Sequence, residues 1–318
     1  MVGKLTPNTM LSASRLPAIM GMSKYRSAND ELLMSIEAIK GNQPEDISNE
    51  SMEWGNKLEP TILMEAAARL GCTQLDYNHE KAYYHDDWPI SCSLDGTATG
   101  NGETFVSDPE RGIFVVGDKP ICLEGTGVLE AKLTSMDAED MPPLWRGPIQ
   151  LQAQMAIYKA KWGAIATLYK GTELRIFIFE IHEQTLQSIE SISKDFQDRL
   201  DRFKNTGEID YYPVQSPKDA ARTYSDVTDE EPVKLDDYAD ELAKMIQENK
   251  AKMATLESVN EQAQTQLMEI LKNHKVGITN RYQITWPQRS YKATVARIVP
   301  AKEAYTIRQS TLTIKELK

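Results

Sequence analysis

The chain has 318 residues and a mass of 35.9 kDa. Its contents of 41% hydrophobic and 26% charged residues are typical of a globular protein, and no apolar run approaches the roughly 20 residues that span a bilayer. Three scattered cysteines without a C-x-x-C pair, and four histidines without paired spacing, argue against a disulfide framework, an iron–sulfur cluster and a zinc site. We therefore expect a cytoplasmic protein with no membrane partner.

The net charge of −11 is unevenly distributed along the chain. Residues 1–29 hold four basic residues and no acidic one, while residues 272–318 hold ten basic residues against two acidic ones, a net charge of +8. The residues between these two segments therefore carry a net charge of −23. This pattern predicts local basic surfaces on an acidic body, although a basic end is also a common solubility feature.

The first 71 residues predict helices. Apolar residues recur at helical spacing over residues 14–22 and 29–40, with a turn at 21–27 between them. A third helix is predicted from a cap at Asn49 or Ser51 to about Leu70, where Gly71 ends it.

The middle of the chain predicts strands and two further helices. Strand-like segments lie at 73–77, 81–85, 90–99, 112–117, 119–124 and 127–133. The Gly117-Asp118 pair predicts a hairpin between two of them. A helix follows at 148–161, then a strand pair at 164–170 and 174–181, then a helix at 183–205.

The composition changes from residue 211 onward. Residues 211–234 contain clustered acids and prolines, which indicate a linker. Residues 235–271 carry apolar residues at spacings of three and four, which predicts a long amphipathic helix. Packing on its own domain and pairing with another subunit as a coiled-coil arm explain this pattern equally well. Basic residues alternate with β-branched ones from Tyr282 to Lys318 and predict two or three short strands.

Charged side chains share one face of the strand predicted at 127–133. Because side chains alternate along a strand, Glu130 and Lys132 project from one face while Leu129 and Ala131 pack on the other. If the segment of Asp95 lies on the neighbouring strand, two carboxylates and one ammonium group converge. Hard oxygen ligands of this kind suit Mg²⁺ or Mn²⁺. The sequence therefore predicts a nuclease-type metal site.

Four segments occur in the order expected of one such active site. They are Trp54-Gly55-Asn56-Lys57-Leu58-Glu59-Pro60, Ser93-Leu94-Asp95-Gly96, Leu129-Glu130-Ala131-Lys132 and Ile149-Gln150-Leu151-Gln152-Ala153-Gln154-Met155. With them, the chain resembles the lambda exonuclease or YqaJ-type viral recombinase family of the PD-(D/E)-x-K nuclease superfamily over roughly residues 10–205. Leu94 stands where the family usually has proline, and the segment between Asp95 and Glu130 is longer than in compact members.

The resemblance implies an α/β (α+β) fold with a central mixed sheet between helices. Together with the change of composition from residue 211, it divides the chain into a nuclease domain at residues 1–210, an acidic linker at 211–234 and an extension at 235–318, formed by the long helix and a basic, β-rich segment. It implies Mg²⁺-dependent 5′-to-3′ digestion of one strand at double-stranded DNA ends, with Mn²⁺ as a possible substitute. It also implies a homo-oligomeric ring trimer and a partner protein that anneals single strands.

The resemblance also implies roles for individual residues. Asp95, Glu130, the Ala131 backbone carbonyl and Glu59 match metal ligands. Lys132 matches the lysine that positions or activates the attacking water, and Gln152 matches the glutamine of the motif helix. Ser14 and Ser93 match hydroxyls that hold a 5′-phosphate. Arg15 or Lys4 could replace an arginine of the family that this chain lacks.

Two other functions remain open from the residues. The same fold could support an endonuclease of the restriction or repair type. It could also serve a DNA-binding protein without catalysis, although such a protein would be free to lose Asp95, Glu130 and Lys132.

Overall fold

The computed structural model describes residues 5–42, 49–225 and 232–288. The chain forms two compact units, Met1–Thr223 and Tyr224–Lys318. The helices are α1 (Leu16–Ile19), α2 (Ala28–Ile39), α3 (Glu50–Arg69), α4 (Pro148–Tyr158), α5 (Glu183–Thr206), α6 (Pro217–Thr223) and α7 (Asp237–Leu271). No helix in these described ranges is long and apolar enough to cross a membrane.

The strands are short except for those that form the centre of the main sheet. They are β1 (Leu11–Ser12), β2 (Gln74–Asp76), β3 (Tyr83–Tyr84), β4 (Ile90–Cys92), β5 (Gly96–Thr99), β6 (Thr104–Phe105), β7 (Ile113–Val115), β8 (Ile121–Cys122), β9 (Thr126–Thr134), β10 (Trp162–Tyr169), β11 (Glu173–Glu180), β12 (Val276–Ile278) and β13 (Gln283–Thr285).

A six-stranded mixed sheet forms the centre of the first unit, in the order β2-β5-β9-β10-β11-β7. Strand β9 pairs parallel with β10 and antiparallel with β5, while β10 and β11 form an antiparallel pair. A parallel pair needs a long crossover connection, and α4 lies in the connection from β9 to β10. The loop between β10 and β11 is short and contains Gly171 in the left-handed region.

Each face of this sheet is covered by apolar side chains. On one face, Leu63 of α3 packs with Leu129 and Ile176. On the other face, Leu151 of α4 and Phe196 of α5 pack in one cluster with other sheet residues. The sheet is therefore a layer between helices, and the predicted fold class is confirmed.

Capping residues set where the helices near the site begin. Ser27 and Asp30 form a reciprocal capping box at the start of α2. The Asn49 side chain accepts a hydrogen bond from the backbone N–H of Met52, so it caps α3 as expected. Gly147, at φ +117°, precedes Pro148 at the first position of α4. These caps fix the helical register on which Glu59 and the glutamines of α4 depend.

The prediction of a hairpin at Gly117-Asp118 is wrong. Strand β7 instead adds to the edge of the main sheet, parallel to β11, and β8 pairs with β6. Ile113 of β7 is fully buried in the cluster that contains Ile176. Burial of this side chain against the sheet accounts for a pairing that the local turn signal did not reveal.

The second unit contains α7 and a β12–β13 hairpin. Leu271 at the end of α7 is buried, and its Cδ2 lies 2.7 Å from where a Cβ on Gly277 would stand. The strands predicted beyond residue 288 lie outside the described residues. The first unit extends to Thr223 through α6, whereas the sequence prediction ends the nuclease domain at 210.

Candidate active site

Glu130 and Lys132 occupy the same face of β9, at the level where the neighbouring strand β5 has ended. The β5–β9 pairing stops at Gly96 and Leu129, so Asp95 lies next to the unpaired continuation of β9. Glu130 is 1% exposed and Lys132 is 27% exposed, and the two form an ion pair. The structure thus brings Asp95, Glu130 and Lys132 together at one strand end.

The backbone of Ala131 orients Asp95. Its N–H donates to Asp95 Oδ2 at 3.0 Å. In an extended strand the N–H and C=O of one residue point to the same side, so the Ala131 carbonyl also faces the edge occupied by Asp95. This direction agrees with the expectation that the Ala131 carbonyl is a metal ligand.

Helix α3 brings Glu59 to the same place. An added Cβ on Gly96 would lie 3.2 Å from Leu63 Cδ1, so Gly96 permits a close approach of α3. Glu59 lies one helical turn before Leu63 on the same side of the helix. Burial raises the pKa of Glu59, and the negative charge of Glu130 adds to the effect, which agrees with a position of Glu59 near that carboxylate.

Two glutamines of α4 hold the carboxylate of Glu130. Gln150 Nε2 donates to Glu130 Oε1 at 2.7 Å, and Gln154 Nε2 donates to Glu130 Oε2 at 2.7 Å. Residues four apart lie on one helix face, which explains why both reach the same carboxylate.

Gln152 points away from this carboxylate, so the assignment of Gln152 to the site needs correction. Its Nε2 donates to the Glu180 carbonyl at 2.7 Å, and its Oε1 accepts from the His182 N–H at 2.8 Å. Residues two apart on a helix do not share a face. Gln152 therefore fastens the end of β11, and Gln154 with Gln150 takes the place expected for it.

The carboxylates of the site disfavour one another's charge. Burial raises the pKa of Asp95 well above its usual value, and the negative charges of Glu130 and Glu59 add to the effect. Burial likewise raises the pKa of Glu59, followed by the charge of Glu130. For Lys132, burial alone would lower the pKa, but attraction to Glu130 and Asp95 outweighs it and raises the pKa. The site therefore has an excess of negative charge that a cation would relieve.

The oxygen ligands of the site suit Mg²⁺, which seldom has all of its ligands from protein side chains. In the described part of the chain, no group of three or more histidine, cysteine, aspartate or glutamate side chains is placed to hold a metal ion by itself. Mg²⁺ is commonly held by one or two carboxylates, with water and substrate phosphates filling the other positions. Asp95 and Glu130 meet that requirement, with the Ala131 carbonyl and Glu59 beside them.

A cavity of about 560 Å³ opens beside Lys132. Lys132 and Gln150, both partners of Glu130, line it, which joins the cavity to the carboxylate cluster. Its other polar lining residues are Ser14, Arg15, Ser23, Tyr25, Arg26, Glu31, Trp145 and Arg146. A space of this size at a basic, partly aromatic wall can admit a phosphate with its attached sugar or base.

The residues expected to hold a 5′-phosphate differ in where they lie. Ser14 is exposed, lines the cavity and lies 3.3 Å from Ser12 through the two Oγ atoms. The Ser93 carbonyl accepts from Gln154 Nε2 at 3.1 Å, which puts Ser93 next to the site. Lys4 lies outside the described residues.

Arg15 is a structural residue, which corrects its assignment to phosphate binding. Its side chain is 4% exposed, and its Nε donates to Glu31 Oε2 at 2.6 Å. The remaining guanidinium donors reach the Ser35 hydroxyl and backbone carbonyls, including Met10 O at 3.1 Å. A guanidinium has five N–H groups, and here those donors already have acceptors. Its burial in an ion pair explains why a sequence position beside Ser14 does not make it a phosphate ligand.

Residues 6–162 match the family of the YqaJ-like viral recombinase domain. The matched part is similar to that family and makes up just under half of the 318 residues. The matched range contains Glu59, Asp95, Glu130, Lys132 and the three glutamines of α4. The match supports a phage-type nuclease.

Several solved structures are similar to the chain at low identity. LHK-Exo, an alkaline exonuclease from Laribacter hongkongensis, is 16% identical with a TM-score of 0.44, over 61% of this chain and 89% of that one. Its complex with dAMP gives 18% identity and a TM-score of 0.42 over the same shares. A phage-related exonuclease from Haemophilus somnus 129PT gives 13% and 0.41, over 63% of this chain and 96% of that one. No curated protein matches the chain.

Sequence reasoning missed several residues of the site. Gln150 lies in the motif of α4, and the resemblance implies no role for it. Its spacing of four residues from Gln154 nevertheless indicates that the two side chains share one helix face. Arg26 and Arg146 line the cavity. No local motif marks them, because Arg26 reaches the site from the α1–α2 turn and Arg146 from the loop before α4.

Proposed function

We propose that the protein is a Mg²⁺-dependent 5′-to-3′ exonuclease that digests one strand at double-stranded DNA ends and exposes 3′ single strands for phage-type recombination. The observation that carries this proposal is the cluster of Asp95, Glu130, Lys132 and Glu59 beside a cavity with basic walls. The family match supports the coarser statement that the protein is a nuclease of the phage recombination type.

Each residue has a role that its contacts support. When bound, Mg²⁺ would supply a positive charge that neutralises the phosphodiester oxygens and acidifies water. Asp95, fixed by the Ala131 N–H, and Glu130, fixed by Gln150 and Gln154, would hold the ion, with Mn²⁺ as a substitute. A ligand held by hydrogen bonds keeps its orientation, so these donors would limit the motion of the carboxylates.

Lys132 acts at the boundary between the cluster and the cavity. Its ammonium pairs with Glu130 and is the most exposed member of that pair. From this position it would orient the attacking water and stabilise charge on the phosphate. The raised pKa of Lys132 keeps the group protonated at neutral pH, so it acts mainly as a cation in the free protein.

The cavity would receive the terminal nucleotide of the strand that is digested. Ser14 can donate a hydroxyl hydrogen bond to a 5′-phosphate, and Arg26 supplies a side chain that is 45% exposed. Arg146 lines the same wall, and its buried Nε has no hydrogen-bond partner. Guanidinium groups suit phosphate because they can donate two parallel hydrogen bonds. Ser93 does not line this cavity, but it precedes Asp95 by two residues and its carbonyl accepts from Gln154, so its hydroxyl is proposed to contact the phosphate from the side of the carboxylate cluster.

The proposed assembly and location rest on analogy with the matched family. We propose a homo-oligomeric ring, a trimer, that encircles the duplex, a partner protein that anneals single strands, and action in the cytoplasm of a bacterial host. The basic residues of segment 272–318 are available in the sequence for contacts with DNA or with the acidic body.

A nuclease assay tests the proposed function. Linear duplex DNA labelled at either end should lose nucleotides from its 5′ ends when Mg²⁺ is present and stay intact with a chelator. Closed circular plasmid should stay intact under both conditions, whereas nicking of circles would favour the endonuclease. Asp95→Asn is the matched inactive variant, and DNA binding without digestion by the unmodified protein would favour the non-catalytic alternative.

A further inference from the structure

Helix α7 carries a stripe of large apolar side chains that are exposed. The helix has 35 residues and therefore a length of about 52 Å. Leu271 is its only buried residue among those described. Positions separated alternately by four and three residues form the stripe, and its large apolar members are Leu242, Ile246, Met253, Leu256, Leu267 and Ile270. Leu256 is 63% exposed and Ile270 is 75% exposed.

Two asparagines lie inside the stripe. Asn249 and Asn260 occupy the same four-and-three repeat as the apolar residues, with Ala263 completing it. A repeat of this period is the pattern of a helix that packs against another helix along its length. A purely apolar groove on a partner would leave both buried amides without hydrogen bonds, which is unfavourable. The occupant of the stripe must therefore offer hydrogen-bonding groups at matching heights.

A second copy of α7, running in the opposite direction, offers those groups. An antiparallel pair centred between Ala254 and Thr255 sets Asn249 opposite Asn260 of the other copy. This centre lies within one residue of the midpoint of the helix Asp237–Leu271. The same alignment sets Leu242 opposite Leu267 of the other copy and Met253 opposite Leu256 of the other copy.

The charges at the two ends of α7 select this direction. The first turns contain Asp237, Asp240 and Glu241, whereas Lys272 and Lys275 follow the last turn. An antiparallel pair brings the acidic beginning of one helix beside the lysines at the end of the other, and it opposes the two helix dipoles. A parallel pair would bring the two acidic beginnings together.

We propose that α7 is a dimerisation helix that pairs antiparallel with α7 of a second copy of this chain, with Asn249 and Asn260 hydrogen-bonded across the pair. The pairing joins two chains, or two of whatever assembly the first unit forms. It does not depend on the proposed nuclease activity.

Light scattering on the full-length protein tests the pairing. Ile246→Lys combined with Leu267→Lys places charges in the stripe and should halve the molar mass. Ala251→Lys combined with Thr265→Lys adds the same charge to the opposite face of α7 and should keep the mass of the unmodified protein. Equal masses for the unmodified protein and the stripe variant would overturn the proposal, whether α7 then docks within its own chain or stays unpaired.

The asparagines test the direction of the pair. In the antiparallel pair, Asn249→Leu or Asn260→Leu alone leaves a buried amide unpaired and should raise the dissociation constant of the pair at least about tenfold. The double replacement removes both amides together and should lower the dissociation constant below that of the unmodified protein. Tighter pairing with each single replacement would indicate a parallel pair and would overturn the antiparallel arrangement.

Discussion

Gln154 and Gln152 provide a matched comparison between a residue that supports the site and one that supports the fold. Gln154 donates to the buried carboxylate of Glu130, whereas Gln152 bonds backbone groups of Glu180 and His182. In each case the replacement by Leu keeps a similar side-chain volume and removes the hydrogen bonds. Any difference between the two variants therefore reports on which partner was lost.

The expected losses of stability are similar. Gln154→Leu removes a hydrogen bond to the charged Glu130, worth about 1.5–3 kcal/mol, and one to the Ser93 carbonyl; it also removes the buried Oε1, which has no hydrogen-bond partner, and this gain offsets the second lost bond. Gln152→Leu removes two neutral hydrogen bonds, worth about 1 kcal/mol each. Both variants should lower the free energy of unfolding by about 2 kcal/mol, which corresponds to about 4–8 °C in Tm for a unit of this size. Thermal unfolding followed by circular dichroism measures this shift.

The expected losses of activity differ. Gln154→Leu lets Glu130 rotate and should lower kcat about 10- to 100-fold, while Gln152→Leu should change kcat less than about threefold. Nucleotide release from labelled linear duplex, measured well below both Tm values, gives kcat for each variant. An equal fall in kcat for the two variants at equal Tm would refute the assignment of Gln154 to the site.

Three further predictions concern other residues of the first unit. Arg15→Met should cost about 3–5 kcal/mol, because it removes the buried partner of Glu31 and leaves only the more distant Arg26 at 3.5 Å, and this should appear as a large fall in Tm. A stable variant that has lost only its preference for phosphorylated ends would contradict this. Glu59→Gln should raise the Tm of the metal-free protein. Burial and the charge of Glu130 raise the pKa of Glu59, so the stability of the protein falls as the pH rises from the pKa of Glu59 in the unfolded chain through its pKa in the folded protein. The variant should lose this part of the pH dependence of stability. Ser14→Ala should reduce the rate advantage of 5′-phosphorylated over 5′-hydroxyl DNA, and an unchanged rate ratio would exclude Ser14 from the phosphate site.

Elements with strong periodicity were predictable from the sequence. The helices at 29–40, 183–205 and 235–271 and the strand pair around Gly171 occur within a few residues of their expected bounds. The alternation of side chains along β9 also predicted correctly that Glu130 and Lys132 share one face, while Leu129 and Ala131 pack on the other. The pairing of β7 was not predictable, since it depends on contacts between Ile113 and residues more than fifty positions away.

The site was predictable where the chain itself brings residues together. Asp95 and Glu130 lie on segments that pair as neighbouring strands, so their proximity follows from the sheet. Which glutamines reach Glu130 depends on the helical register of α4. Gln150 and Gln154 are four residues apart and share a face, whereas Gln152 lies two residues from each and points to another side of the helix. The structural role of Arg15 was not predictable, because its partner Glu31 lies 16 residues away in α2 and contacts it only in the folded protein.

The most direct test of the central claim is metal-dependent digestion by the unmodified protein and by Glu130→Gln. Purified protein is mixed with linear duplex DNA carrying a label at each 5′ end, with Mg²⁺ or with a chelator, and released nucleotides are measured over time. We predict that labelled 5′ nucleotides are released from the DNA only by the unmodified protein and only in the presence of Mg²⁺. Equal digestion by the unmodified protein and by Glu130→Gln, or digestion in the presence of the chelator, would contradict the assignment of this carboxylate cluster as the active site.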